Sequence, residues 1–204
     1  MKKSQKFIAL CILSTLILTS CQGQETKNNE SNMYLNTIPD EEYSRAISYY
    51  SDRSYPGNTL EEVLDNSTSA MISFIEALPD DKLDHRYKSG KWSVREVIQH
   101  VISYEQIMHE RALIVAGKDI EQKYTRYYNQ STTVAPAGNK TKQELLEEFK
   151  KVRAITTNSF TNLSMEELTT EGTLDGFRVS VRMIAMCLSG HQKHHFNVIR
   201  GKYL

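Results

Sequence analysis

This sequence lacks an excess of charge of either sign, because it has 25 basic and 25 acidic residues among 204. The first 20 residues contain three of the lysines and no acid, so the rest of the chain has 22 basic and 25 acidic groups. Proteins that bind nucleic acids usually present a basic face. The charge balance therefore gives no reason to expect a nucleic-acid partner.

The apolar run near the N-terminus, residues 7–18, is shorter than the roughly 20 residues that a transmembrane helix requires. It follows positively charged residues, as the apolar region of a signal peptide does. The run leads into the letters LTSC, which resemble a bacterial lipobox, the signal whose cysteine becomes the lipidated first residue of the mature protein. We therefore expect residues 1–20 to be a lipoprotein signal peptide. An uncleaved anchor helix and a plain secretory signal are the alternatives.

Cysteine is scarce, and its three positions agree with export. Cys11 would leave with the signal peptide, and Cys21 would carry the lipid. Cys187 would then be the one cysteine left, which excludes an intramolecular disulfide in the mature chain. We expect the protein in the bacterial cell envelope, anchored to a membrane through the lipid on Cys21.

The chain after the signal peptide divides into a tether and one domain. Residues 21–35 are polar and lack an apolar period, which is typical of a linker. Residues 36–204 have the size of one ordinary domain with a core of its own. The predicted organisation is therefore a signal peptide, a polar tether and a single domain.

Apolar residues recur at helical spacing in four segments of this domain, without an internal repeat or a strong strand pattern. A side chain able to cap a helix precedes each segment, and in the first three a glutamate follows three residues later. These features predict an all-α fold, a four-helix bundle. The predicted N-caps are Thr59, Ser93, Thr141 and Ser180.

The connections between these helices differ in length and character. Residues 118–140 are polar and aromatic and are expected to form a long loop or a loop with one short helix, and loops of that length are more often functional than idle. An extended connection with a turn at Asp175-Gly176 precedes the last helix. The buried face of the third helix is expected to be apolar and to consist of Leu145, Leu146, Phe149, Val152, Ile155 and Phe160.

Two histidines of the last helix, His191 and His195, are four residues apart and therefore lie on one face, one turn apart. Such a pair can hold a transition metal, but a single-ion site needs a further ligand. The alternative is a pair of core histidines that hydrogen-bond to carboxylates or tyrosines. Cys187 is an unsuitable third ligand, because eight residues, about 12 Å of helix rise, separate it from His195.

The other histidines do not identify the third ligand by spacing alone. His100 and His109 lie on the second helix, each about ninety degrees from its apolar centre, on opposite edges. His85 falls in a connecting segment and is interpreted as structural or exposed. The helical wheel therefore leaves His100 and His109 as alternatives.

Two segments resemble motifs of the DinB-like family, also called the YfiT-like metal-dependent hydrolases. Residues 92–101 read WSVREVIQHV and are similar to the family's W-S-x-x-E-x-x-x-H segment. Residues 190–195 read GHQKHH and resemble its C-terminal G-H-x-x-H-H segment. Weaker similarities to the family occur in the segment after Tyr104, in the segment before the last helix and in the chain's R-x-x-Y-L ending. The resemblance extends from about residue 36 to the end.

The resemblance implies a four-helix bundle that holds one divalent ion through His100, His191 and His195, with His194 as a neighbour. Three ligands leave coordination positions open, as in catalytic metal sites. The implied ion is Zn or Ni, although three imidazoles also accept Fe, Mn or Cu. Bundles of this family are often dimers, so a homodimer is a further expectation.

One family feature is not matched in this sequence. Relatives carry an acidic run of the form F-D-x-D in the middle loop, whereas residues 119–124 read DIEQKY. Glu105 is then the best remaining carboxylate near the metal helix and the candidate catalytic residue. The alternative is an ion pair of Glu105 with Arg111 or another nearby base.

The expected function is that of a metal-dependent enzyme acting on a small molecule. Some relatives transfer thiols to electrophiles, but their thiol cofactors are cytoplasmic, and an exported protein fits that thiol S-transferase reaction poorly. Hydrolysis or another metal–water reaction fits the expected location better. The alternative from a different class is a non-catalytic metal- or ligand-binding lipoprotein.

Overall fold

A computed structural model describes the protein over residues 49–121, 137–174 and 176–204. The expected signal peptide, the lipidation site Cys21, the polar tether and the domain boundary at residue 36 lie outside these residues and remain predictions. Among the described residues, no helix is both long and apolar enough to cross a membrane.

Four long helices dominate the described part of the chain, and a short helix and a two-stranded hairpin precede the last of them. A 3₁₀ turn at Asp80–Lys82 follows the first helix. The elements are α1 (Leu60–Ala77), α2 (Val94–Val115), α3 (Lys142–Thr161), α4 (Met165–Thr169), β1 (Glu171–Leu174), β2 (Phe177–Ser180) and α5 (Val181–Lys202).

The N-terminus of each long helix is capped by the residue expected from the sequence. Each cap side chain accepts a hydrogen bond from the backbone N–H three residues later, which satisfies a donor that the helix itself leaves unpaired. In α2 and α3 the glutamate also accepts from the cap's own N–H. In α1 that second bond differs, because Glu62 accepts from the N–H of Asn58 instead of Thr59.

The extended connection before α5 is an antiparallel hairpin. Glu171 pairs with Ser180 and Leu174 with Phe177 across the two strands. Gly176 in the turn has a φ of 84°, the left-handed region that glycine adopts without strain. Of the turn expected at Asp175-Gly176, Gly176 has the turn conformation and Asp175 lies outside the described residues, while the pairing of two four-residue strands was not anticipated from the sequence.

Each long helix packs against two others, so that consecutive helices α1 and α2 lie across the diagonal of the bundle. The start of α2 lies beside the end of α5, where the Tyr203 hydroxyl donates to the Trp92 carbonyl at 3.0 Å. The start of α3 lies beside the end of α1, where the Lys142 ammonium donates to the Leu78 carbonyl at 2.9 Å. Both of these adjacent pairs are antiparallel.

The neighbours α2 and α3 are parallel, which explains the length of the connection between them. Gln99 donates to Glu148 at 3.1 Å, and Glu105 is paired with Arg153, so equivalent levels of the two helices meet. A 22-residue helix is about 33 Å long, and the chain must return over that length before α3 begins. Residues 122–136 of this connection lie outside the described residues.

Two apolar clusters fill the bundle, one above the other along its axis. One cluster contains Met71, Ile98, Phe149 and Phe196, and the other contains Leu64, Met108, Phe160 and Ile184. On all four helices, buried polar residues lie between the positions assigned to the two clusters. We call the set Ser67, Glu105, Arg153 and Gln192 the polar layer.

Candidate metal centre

The histidines predicted to bind metal meet at the interface of α2 and α5. The Nε2 atom of His191 lies 3.2 Å from Nε2 of His100 and 3.0 Å from Nε2 of His195. All three candidate ligand atoms lie within 4.8 Å of one another. The antiparallel packing of the two helices therefore supplies the third imidazole that a pair four residues apart requires.

The two separations from His191 fit a single bound ion. Zinc–nitrogen bonds of about 2.0–2.1 Å at tetrahedral angles separate ligand nitrogens by about 3.3–3.4 Å. The His191–His100 and His191–His195 separations are within a few tenths of an ångström of that value. Three ligands leave a fourth position for water or a substrate atom, which is the pattern of a catalytic site.

The remaining described histidines are not part of this cluster. His109, the alternative to His100 on α2, lies against the ring of Phe160 at a centroid distance of 5.9 Å. His85 lies against Tyr203 at the end of the bundle. His194 is a neighbour of His195, at a centroid distance of 5.2 Å, as the family resemblance implied.

Burial favours the neutral imidazole that metal binding requires. Desolvation, with smaller contributions from the nearby His100 and His194, lowers the pKa of His195 to about 3. Desolvation also lowers the pKa of His194, with a smaller contribution from the charge of Arg53. At neutral pH, His195 therefore has a nitrogen lone pair available for a cation.

Aromatic rings enclose the most buried of the three histidines. His191 is 3% exposed. The ring of Tyr104 stacks on its imidazole, with centroids 3.8 Å apart and planes at 21°. Tyr50 meets the same imidazole edge-on at 5.1 Å, and Trp92 lies 4.9 Å from the ring of His100. These contacts restrict the imidazole orientations and exclude water from two sides.

A segment before α1 lies across α5 and supplies Tyr50. The Tyr55 N–H donates to the Ser189 hydroxyl at 2.9 Å, and Lys193 donates to the Ser54 carbonyl at 3.3 Å. A Cβ at position 190 would lie 1.6 Å from the Tyr50 carbonyl oxygen, so only glycine allows this approach. Gly190, which directly precedes His191, is therefore required for the aromatic cover of the site.

Glu105, the candidate catalytic residue, is 2% exposed and paired with Arg153 of α3. Arg153 donates from Nε to one carboxylate oxygen at 2.7 Å and from a terminal nitrogen to the other at 2.8 Å. A carboxylate held in this way by a guanidinium inside the bundle is poorly suited to act as a general base. The contacts match the ion-pair alternative, with Arg153 as the nearby base.

The sequence interpretation missed Arg153 because it assigned the neighbouring apolar position to the core. Ile155, expected on the buried face of α3, is 52% exposed, whereas Arg153 and Thr156 are buried. Helical spacing from Phe149 to Phe160 passes through residues 153 and 156, and this was the available signal. In the middle loop, where the acidic run of relatives is not matched, Asp119 and Glu121 are exposed, and residues 122–124 lie outside the described residues.

Comparisons with known proteins agree with the helical fold described above. The family model described as the DinB superfamily matches residues 63–199. Among solved structures, the chain is similar to YfiT from Bacillus subtilis with a TM-score of 0.54 and 14% sequence identity, covering 81% of this chain and 93% of that one. That protein is described as a probable metal-dependent hydrolase with an unusual four-helix bundle topology. No curated protein matches the sequence significantly.

Proposed function

Because the DinB superfamily model matches residues 63–199, the chain belongs to that superfamily, and on this premise we propose that it is a metal-dependent enzyme. In this proposal His100, His191 and His195 hold one divalent ion, and the reaction is hydrolysis or other metal–water chemistry on a small molecule. The observation that carries the proposal is the convergence of three imidazole nitrogens from two helices. The description of YfiT as a probable metal-dependent hydrolase supports the same reaction class.

The chain's own residues would bind and orient the ion and limit the access of water. A bound divalent ion supplies Lewis acidity and lowers the pKa of a coordinated water. Tyr104 and Tyr50 fix the plane of His191, and Trp92 lies beside His100. With Glu105 engaged by Arg153, the proposal assigns no general base among the described residues.

Zinc and nickel are the ions we propose for this site. Imidazole nitrogens suit both, and the ligand set contains no thiolate or carboxylate that would favour a softer or a harder ion. Cys187 lies near the site, but its sulfur is 3.4 Å from the Tyr104 hydroxyl and is not part of the cluster. Competition between the two metals for the full chain would decide which one it prefers.

Export and lipid anchoring on Cys21 remain part of the proposal. An exported enzyme would act on small molecules outside the cytoplasm, where the low-molecular-weight thiols used by some relatives are scarce. The expected homodimer also remains a prediction, which light scattering of the full chain would test. The neutral charge balance gives no reason to propose a nucleic-acid partner.

A substrate panel tests the enzymatic part of the proposal. The full chain, loaded with zinc or nickel, is assayed against small esters, amides and thiol-transfer substrates, with His191→Ala as the inactive variant and His194→Ala as the control. We expect turnover of an ester or amide that both a chelator and His191→Ala abolish. Metal binding without turnover of any substrate class would overturn the proposal that the protein is an enzyme and would leave the alternative of a metal-binding lipoprotein.

A further inference from the structure

Arg153 is the one described residue of the polar layer that bonds to all three other long helices. It lies on α3 and donates to both oxygens of Glu105 on α2. On α1 it donates to the Leu64 carbonyl at 3.1 Å and to the hydroxyls of Ser67 and Thr68. On α5 it donates to the Gln192 side-chain oxygen at 3.0 Å. A single buried guanidinium thus connects the whole bundle.

The network is closed by a direct bond between α1 and α5. The Gln192 amide nitrogen donates to the Ser67 carbonyl at 2.6 Å. Each of the three guanidinium nitrogens of Arg153 has at least one acceptor, so burial leaves no nitrogen of the cation without a partner. A half-satisfied network of this kind would destabilise the core, whereas a satisfied one favours a single helix arrangement.

Two members of the network lie on the helices that carry the metal-binding histidines. Glu105 is on α2, five residues after His100, and Gln192 directly follows His191 on α5. The contacts with Arg153 therefore restrict both the rotation and the axial shift of α5 relative to α2. The same two movements would separate the Nε2 atoms that now lie 3.0 and 3.2 Å apart.

We propose that Arg153 is a positioning residue for the metal centre, which holds α2 and α5 in the register that brings the three histidines together. This inference rests on the metal site proposed above. Stability alone is a weak explanation for the network, because buried ion pairs are often replaced by apolar residues without loss of stability. Lysine could not substitute, since it lacks the planar fork that contacts three helices at once.

The test compares metal affinity with stability in Arg153→Met, a variant that fills the same space without charge. Affinity for zinc is measured by competition with a chromophoric chelator, and site geometry by the visible absorption of the cobalt-loaded full chain. We expect Arg153→Met to bind zinc more weakly, by up to the roughly 10–100-fold that is lost when a direct outer partner of a ligand is removed. The cobalt spectrum should change as well, and Arg153→Lys should not restore it.

A matched variant separates positioning from general destabilisation. Phe160→Leu alters a fully buried residue of the same helix, in the apolar cluster beyond the polar layer. We expect it to lower the melting temperature while leaving zinc affinity and the cobalt spectrum unchanged. If Arg153→Met does not fold, Gln192→Met serves instead, because it removes only the bonds of the network to α5.

The outcomes distinguish this inference from the proposed function. Zinc affinity and a cobalt spectrum equal to wild type in Arg153→Met, or in Gln192→Met where that variant is used, would overturn the positioning role alone. Equal loss of affinity in Phe160→Leu would also overturn it, because the effect would then follow stability. A wild-type chain that binds neither zinc nor cobalt would overturn the metal site and the inference together.

Discussion

The phenol ring of Tyr104 stacks on the imidazole of His191, with the ring centroids 3.8 Å apart. The hydroxyl of Tyr104 lies 3.4 Å from the sulfur of Cys187, which lies one turn before His191 on α5. Tyr104 lies on α2, the helix that carries His100. The stack therefore lets α2 orient His191, the most buried of the three histidines, on α5. The contact joins the two halves of the candidate site through a side chain that is itself no ligand.

Removal of this ring should weaken metal binding by a modest factor. An aromatic pair contributes about 0.5–1.5 kcal/mol beyond burial, which corresponds to roughly a two- to tenfold change in affinity. We expect Tyr104→Ala to lose affinity by that factor, measured by chelator competition, and Tyr104→Phe to retain it. A loss in Tyr104→Phe as large as in Tyr104→Ala would show that the hydroxyl, and not the stack, is important.

Gly190 should not tolerate a methyl group. A Cβ there would lie 1.6 Å from the Tyr50 carbonyl, and the contact is backbone, which cannot rotate away. We expect Gly190→Ala to destabilise the fold by about 1–3 kcal/mol, as overpacking does, in thermal or denaturant melts. It should also increase proteolysis within residues 49–57, because the segment must move off α5.

Gly201 provides the control on the same helix. Nothing lies within 4 Å of a Cβ built there. We expect Gly201→Ala to be neutral or to stabilise α5 by up to about 1 kcal/mol, because alanine has the higher helix propensity. Equal destabilisation by the two substitutions would contradict the close approach of Tyr50 as the cause.

Helix starts were predictable from the sequence because their hydrogen bonds are local. Ser93 and Glu96 satisfy each other's backbone groups within three residues, so the pattern alone specifies the start of α2. The hairpin was not recognised, because strands of four residues have too few alternations to produce a pattern.

The candidate site was only partly predictable. The i, i+4 spacing of His191 and His195 indicated a shared face, but the choice between His100 and His109 depends on how α2 is rotated against α5. Tertiary packing sets that angle, and only the family resemblance selected His100 in advance. The polar layer around Arg153 connects residues up to 125 positions apart, and no local pattern reports such a network.

Acid should destabilise the protein partly through Glu167. Its hydrogen bond with Lys118, followed by those from Ser164, lowers its pKa from 4.5 to about 2. A depressed carboxylate pKa stabilises the fold above the unfolded value and loses that contribution as pH falls through the folded value. We expect Glu167→Gln to reduce the fall in melting temperature between about pH 5 and pH 2.

A double-mutant cycle identifies the cause of this pH dependence. Lys118→Met should remove most of the same pH dependence, and the double variant should add little to either single change. Additive effects of the two substitutions on the acid profile would mean that the pair does not account for the shift.

Cys21 should determine where the protein is found. With the full chain expressed in a bacterium, we expect the wild type in the membrane fraction, with a lipid-modified N-terminus at residue 21 by mass spectrometry. Cys21→Ser should lack the lipid, whereas Cys11→Ser, within the expected signal peptide, should retain it. An unmodified wild-type Cys21 would contradict the lipoprotein assignment without affecting the metal site.

Metal content tests the central claim most directly. Elemental analysis of the full chain, purified without chelator, should find about one zinc or nickel ion per wild-type chain and per His109→Ala chain, because His109 lies outside the cluster. His100→Ala should lose the ion, because two imidazoles on one helix remain. A metal-free wild type, or equal metal content in His100→Ala and wild type, would contradict the account.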